Sequence, residues 1–368
     1  MVRFLTVAFY FIAALSSSII AEELDPPKES PVIPMNQLLT PSNEMKLFIE
    51  RALQTKLHGK RLLQHISSML MDEQTLGFTY DSNANLTAAE AFRQRRGNCI
   101  SFSFMTASLL REAGFTVYFH NPKTPISWNS YQDQWVQETH MNLLVEISND
   151  LYEVDIFSIQ KDQTSKPLTD KQAFAHYYSN QGVFILSKGD LEAAEANLMA
   201  ALDLDKSYSN LWQNLGIYYR RTKEYSKALS CLERAAILNP QNEAIFYLLS
   251  KTARRLGDYK KAQNYRKNMQ SLDAQSPLYL FACGEDALAD EKPEAALDYL
   301  QSAIKKLPDC HLFYRSQARA YGMLKNYQKM LDSLQQARDV STSRKLQRIY
   351  TRIMENAVKA IHASQEAR

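Results

Sequence analysis

The sequence predicts an α+β region followed by an all-α array of helical hairpins. Three observations point there. Small residues recur every 34 positions from about residue 175 onward. Upstream, between about residues 35 and 170, helical stretches give way to β-rich runs. Glycine is scarce, 10 in 368 residues, while Tyr and Phe number 20 and 16, which suits helices that pack through aromatic and small side chains.

The length fits two or three domains at about 150 residues each. Lys plus Arg total 43 and Asp plus Glu total 40, a net charge of +3. So small a surplus gives no case for nucleic-acid binding driven by phosphate contacts. Hydrophobic residues at 45% and charged residues at 23% exclude a largely disordered chain and a polytopic membrane protein. Four cysteines are too few for a disulfide-dense scaffold.

Residues 1–21 read as a secretory signal peptide. Arg3 supplies the positive n-region, Phe4 to Leu15 the apolar stretch, and Ala21 the small-residue end before Glu22-Glu23. The competing reading is an uncleaved N-terminal anchor, because Phe4–Ile20 approaches the lower length limit for a bilayer span. Membrane contact is expected only in that case. Residues 22–34, rich in Pro, Glu, Lys and Ser, read as a flexible linker.

A helical pattern runs from Glu44 to Met71. Thr87-Ala88-Ala89-Glu90 is a capping box that opens the next helix. Arg95-Arg96-Gly97-Asn98-Cys99 leads into a long apolar helix, Ile100 to Ala113, which Gly114 ends. Cys99 thus falls at a helix start, where free amides and the helix dipole stabilise a thiolate and can form part of an oxyanion hole. Phe115 to Phe119 is β-rich. A loop carrying Trp128 and Trp135 then leads to His140. Met141–Ile147 and Leu151–Phe157 read as a β-hairpin around Ser148-Asn149-Asp150, bringing His140 beside Asp155. Cys, then His, then Asp is the order of a thiol triad: His140 takes the Cys99 proton and Asp155 fixes the imidazole. Arg95 and Arg96 read as surface cover, with the orienting of acidic groups as the alternative. His58, His65, His120, His176, His311 and His362 have no cluster of ligating residues nearby in sequence, so no metal site is expected, and no cofactor motif is present.

In the second half, Ala194, Ala228, Ala262 and Ala296 keep the 34-residue step, as do Gly182 and Gly216, with Gly284 two steps on. Ala201, Ala235, Ala303 and Ala337 follow the same grid, with Met269 in the remaining place. Repeat starts fall near 175, 209, 243, 277 and 311. The second copy holds Trp212, Leu215, Gly216, Tyr219, Ala228, Leu232, Ala235 and Pro240, the tetratricopeptide pattern. Five copies over residues 175–342 stack into a superhelix, and 343–368 supplies a capping helix with Leu346, Ile349, Ile353, Val358 and Ile361 apolar. A protein or peptide partner is expected in the repeat groove. Cys231, Cys283 and Cys310 read as small packing residues, with a Cys283–Cys310 disulfide as a minor alternative.

The Arg95–Phe102 segment, the His140-Met141-Asn142 strand start and Val154-Asp155 resemble the transglutaminase-like superfamily. They are similar to its bacterial exported members that join this domain to tetratricopeptide repeats. The resemblance implies a papain-like α+β core over residues 35–170, a triad of Cys99, His140 and Asp155, and a periplasmic thiol enzyme that hydrolyses or transfers an acyl or amide group. Asn98, Trp128 and Trp135 are the candidates for the oxyanion or substrate-loop position. The alternative is a catalytically inactive repeat adaptor.

Overall fold

The computed structural model describes residues 32–122, 128–131, 134–137, 140–156, 158–162, 164–341 and 343–366. The expected leader lies outside them, and no helix among the described residues is long and apolar enough to cross a membrane. The chain forms two compact units. The first runs to residue 238 without the 128–137 segment; the second holds that segment and the residues from 239 onward.

The first unit opens with three helices: α1 (Met35–Leu38), α2 (Asn43–Leu53) and α3 (Gly59–Met71). The single helix expected over 44–71 is therefore two. After α2 the Thr55 hydroxyl folds back on the Ala52 carbonyl at 2.7 Å, and Lys56 and Gly59 take left-handed φ values of 56° and 54°. The chain cannot continue an α-helix through such residues. Strand β1 (Thr79–Tyr80) pairs in parallel with β2 (Arg96–Gly97), which brackets α4 (Ala88–Gln94). Thr87 and Glu90 close the capping box on α4. Next comes α5 (Cys99–Glu112), buried continuously from Cys99 to Leu110.

Strand β3 (Thr116–His120) follows. The stretch read as a loop then carries a short antiparallel hairpin, β4 (Trp128–Tyr131) with β5 (Gln134–Gln137). Three further strands complete a sheet: β6 (Asn142–Ile147), β7 (Asp150–Val154) and β8 (Ile159–Asp162). The order is β3-β6-β7-β8, antiparallel throughout. Ser148 and Asn149, at φ 52° and 68°, make the β6–β7 turn, the paired left-handed conformation that matches strand twist.

The core of this unit centres on Phe104 of α5. Its ring meets Phe119 of β3 at 5.4 Å and also Phe174 and Tyr177, at 5.8 and 5.6 Å. The last two belong to α6 (Asp170–Lys188), the first helix of the repeat region. Arg111 on α5 grips Asp170 at the start of α6 through two 2.8 Å bonds. The α+β region and the first repeat thus share one core, and the unit continues through α7 (Leu191–Leu204), α8 (Ser209–Arg221) and α9 (Tyr225–Leu238).

The second unit is helical apart from β4 and β5. It comprises α10 (Glu243–Arg255), α11 (Tyr259–Asp273), α12 (Pro277–Ala289), α13 (Pro293–Lys306), α14 (His311–Met323), α15 (Tyr327–Asp339) and α16 (Arg344–Glu366). The final helix covers the end of the array. Tyr350 and Ala357 are buried against Ala318, Met330, Leu334 and Ala337, with Leu346, Ile353 and Ile361 packed alongside. The Tyr350 hydroxyl also lies 2.7 Å from His311 Nδ1.

The 34-residue period has two physical causes. Within each hairpin a small residue lets the helices touch. A Cβ on Gly182, Gly216 or Gly284 would lie 2.7, 2.8 or 2.9 Å from Cγ of Leu198, Leu232 or Leu300. Ser250 fills the same place in the third copy and donates to the Ala262 carbonyl at 3.1 Å. The period also marks the turn inside each hairpin: Gly189, Lys223, Gly257, Glu291 and Lys325 all have positive φ, from 57° to 97°. Gly216→Ala is expected to destabilise the chain by about 1–3 kcal/mol, because the new methyl overpacks the contact with Leu232. Urea unfolding of the two proteins measures it, and an unchanged midpoint would contradict the close approach.

Candidate functional site

The site is built from the start of α5 and the ends of two neighbouring strands. Asn98 caps α5: its Oδ1 accepts from the Ser101 amide at 2.9 Å, and its Nδ2 donates to Asn85 Oδ1 at 3.1 Å. The Ser101 hydroxyl donates to the Ala84 carbonyl and accepts from the Leu86 amide, at 2.9 and 2.7 Å. Cys99 is thereby held at the first turn of a buried helix. One turn on, the Ser103 hydroxyl donates to the Met141 carbonyl at 2.8 Å. That bond ties the thiol-bearing helix to the residue after His140.

His140 stands just before β6 and Asp155 just after β7, adjacent antiparallel strands. His140 Nε2 lies 3.2 Å from Asp155 Oδ1, and the Ile156 amide donates to the same oxygen at 2.6 Å. The Cys99 side chain also hydrogen-bonds His140. With Nε2 engaged by Asp155, Nδ1 is the nitrogen left to exchange a proton with the thiol. The structure therefore brings Cys99, His140 and Asp155 into one chain of contacts. The pair is about a third open to solvent, 32% for His140 and 27% for Asp155, whereas Cys99 is 8% exposed.

The charges reinforce one another. The bonds to Asp155 and then to Cys99 raise His140 to about pH 10, against the opposing effect of burial. The bond to His140 holds the Asp155 carboxyl below its usual value. An imidazole between a carboxylate and a thiol can carry a proton through neutral pH, as thiol chemistry requires. A raised folded-state pKa stabilises the fold fully below the unfolded value, and that gain fades as pH climbs through the folded one. The stability advantage of wild type over His140→Ala is accordingly expected to be full below about pH 6.5 and lost by about pH 10. Denaturant titrations across that range measure it; a pH-independent difference would remove the charged His140.

Of the other sequence candidates, Asn98 has its side chain committed to the helix cap and to Asn85. Trp128 and Trp135 fall on β4 and β5. Arg96 pairs with Asp81 at 2.7 Å on the surface. No disulfide joins Cys283 and Cys310. Sequence reasoning missed Ser103, since a serine within an apolar helix carries no pattern of its own. It also missed a group with metal-ligand chemistry, His120, Glu153 and Asp162, which the sheet gathers from 43 residues of chain.

In the second unit, Lys251, Glu285 and Arg319 occupy equivalent positions, 34 residues apart, on α10, α12 and α14. The two cations and Arg315 act on Glu285, which also accepts from the Ser316 hydroxyl at 2.6 Å. An open cleft of about 860 Å³ at α15 and α16 is lined by Arg338, Arg344, Arg348 and Arg352 together with the carboxylates of Asp339 and Glu355.

The helical hairpins define the class: the chain carries tetratricopeptide repeats. Tetratricopeptide-repeat family models match residues 175–208, 209–242 and 281–341. Among curated proteins, the human protein O-mannosyl-transferase TMTC3 is 25% identical over 179 residues, 47% of this chain and 20% of that protein. Anaphase-promoting complex subunit 3 of Schizosaccharomyces pombe is 25% identical over 190 residues, 51% of this chain and 26% of that one. The chain thus spans about a fifth to a quarter of these relatives. Among solved structures, the Cut9–Hcn1 hetero-tetramer of the APC/C aligns at 19% identity with a TM-score of 0.43, covering 51% of this chain and 39% of that one. YrrB, described as a tetratricopeptide-repeat protein with an unusual peptide-binding site, aligns at 24% identity with a TM-score of 0.31, covering 47% and 89%.

Proposed function

We propose that the protein is a repeat adaptor that binds a protein or peptide partner, as its repeats and its repeat-containing relatives suggest. The observation that carries this reading is the register of Lys251, Glu285 and Arg319 along successive first helices of the repeats. Fixed charges of alternating sign in three successive repeats suit an extended peptide whose charges alternate at the repeat spacing. The arginine-lined cleft at α16 favours an acidic stretch in the same partner. Cross-linking in the native host, read by mass spectrometry, tests it. A specific partner is expected to be captured by wild type and by Cys99→Ala, and lost in the Lys251→Ala/Arg319→Ala double variant. A partner that follows Cys99 and ignores the repeat charges would overturn the reading.

A second reading rests on His140 held between Asp155 and Cys99. In it the α+β region is a papain-like, transglutaminase-like thiol enzyme, exported to the periplasm with residues 1–21 as its leader. The Cys99 sulfur adds to an amide or ester carbonyl, and His140 delivers the proton to the leaving amine or alcohol. Water then cleaves the thioester and frees the acid. Hydrolysis is preferred to amine transfer because no second acceptor site stands out. An electrophilic acyl probe is expected to modify wild type and not Cys99→Ala. Equal modification of both removes the enzyme reading and leaves the adaptor intact.

A further inference from the structure

We propose that His120, Glu153 and Asp162 form a divalent-metal site of the zinc class. The four-stranded sheet explains how residues distant in sequence meet. His120, the last residue of β3, pairs with Asn142 at the start of β6. Two residues along β6, Leu144 pairs with Glu153 of β7, and Leu151 of β7 pairs with Asp162 of β8. Positions two apart on a strand share a face, so His120, Asn142, Glu153 and Asp162 all lie on one side of the sheet. Phe119, beside His120, points the other way, toward Phe104 of α5. The cluster is thus on the face opposite the thiol-bearing helix.

One ligand atom from each of the three residues can be chosen so that all lie within 4.8 Å of one another, and His120 Nε2 is 3.1 Å from Glu153 Oε1. Tetrahedral donors at about 2.1 Å from one zinc lie about 3.4 Å apart. The widest pair therefore closes by up to about 1.4 Å, through side-chain rotation, to complete the set.

The independent observation is the state of His120. The residue is 0% exposed, and its Nδ1 makes no hydrogen bond among the described residues. Nε2 faces Glu153 Oε1 at 3.1 Å as an ion pair. A buried ring nitrogen without a partner is costly, a cost that a coordinate bond to it removes. Both carboxylates are already oriented by neighbours, as metal ligands usually are. Asn142 Nδ2 donates to Glu153 Oε1 at 2.7 Å. The Thr164 and Ser165 amides donate to Asp162 Oδ1 at 2.7 and 3.2 Å.

The donor set selects the metal. Magnesium and calcium favour all-oxygen shells, and copper(I) favours sulfur. One imidazole with two carboxylates suits zinc, and three protein ligands leave a fourth position for water. The ion would fasten β3 to β7 and β8. The site does not depend on the repeat partner; it neighbours the thiol site, since His140 is close enough to act on His120.

The test uses the full chain after dialysis against a chelator, titrated with zinc chloride. Calorimetry and elemental analysis are expected to show one saturable zinc per chain, with a rise in melting temperature. Asp162→Asn keeps an oxygen for the Thr164 and Ser165 amides, and Glu153→Gln keeps one for Asn142, so both variants preserve the local bonds. Each is expected to weaken zinc binding by at least about tenfold. Cobalt substitution in wild type is expected to give visible ligand-field bands that His120→Asn abolishes. No saturable zinc in wild type overturns the proposal. So does wild-type affinity in Asp162→Asn and Glu153→Gln, which would assign the ion to other histidines.

Discussion

Iodoacetamide at about pH 7.5 is expected to modify Cys99 at least about tenfold faster than Cys231, Cys283 or Cys310. Exposure does not explain such a preference, because Cys99 and Cys231 are both 8% exposed and Cys310 is 6%. Proton chemistry does. Burial pushes the Cys231 and Cys310 thiols up to about 11, and it raises Cys283 as well. At about pH 7.5 a thiol of pKa 11 is ionised in roughly one molecule in three thousand. Cys99 instead hydrogen-bonds His140, whose imidazole carries a proton at this pH. His140→Ala should bring its rate down toward that of the other three. Peptide mapping after brief labelling reads all four sites at once. Equal rates in the folded wild type would leave the thiol site without a chemical role.

Gly97→Ala is expected to have the largest effect of any single methyl in the first unit. A Cβ there would fall 2.5 Å from Cβ of Ser101 and 3.2 Å from its hydroxyl. Ser101 is 0% exposed and its hydroxyl bonds Ala84, Leu86 and Asn98, so it has nowhere to move. Relief must come from the backbone between β2 and Cys99, which also carries the Asn98 cap. Overpacking of this kind costs about 1–3 kcal/mol, and loss of the cap about a further 1. Thermal unfolding and Cys99 labelling should change together. A variant that melts like wild type, yet labels slowly, would mean that the turn yields without loss of packing.

The repeats were legible because each carries its packing rule in its residue types. Gly216 against Leu232 needs a missing side chain, and that need repeats every 34 residues. The hairpin turns were half legible. Gly189 and Gly257 advertise their left-handed backbone, whereas Lys223, Glu291 and Lys325 hold the same conformation with no compositional sign. Thr87, Glu90 and the helix start at Cys99 were visible through local capping chemistry. The contact between His140 and Asp155 followed from a hairpin of short range. The break at Lys56 was hidden because the apolar periodicity runs through it. Strand β8 was hidden because Ile159–Asp162 has one apolar residue and no alternation. The meeting of His120, Glu153 and Asp162 depended on that strand, and so on a sheet register that no local pattern records.

Helix α6 belongs to two packing systems at once. Phe174 and Tyr177 fill the core around Phe104, while Gly182 on the same helix receives Leu198 of α7. Asn85 extends this continuity, since its amide donates to the Tyr177 carbonyl and to Gln181 while its oxygen accepts from Asn98. A cut at residue 175 would therefore take Tyr177 out of one hydrophobic core and strip Phe174 from the helix that orders it. The sequence grid marks a repeat boundary there, but the physical seam lies elsewhere. The thiol-bearing region and the first repeat should melt in a single transition, inherit each other's destabilising substitutions, and be exchanged between proteins only as one piece.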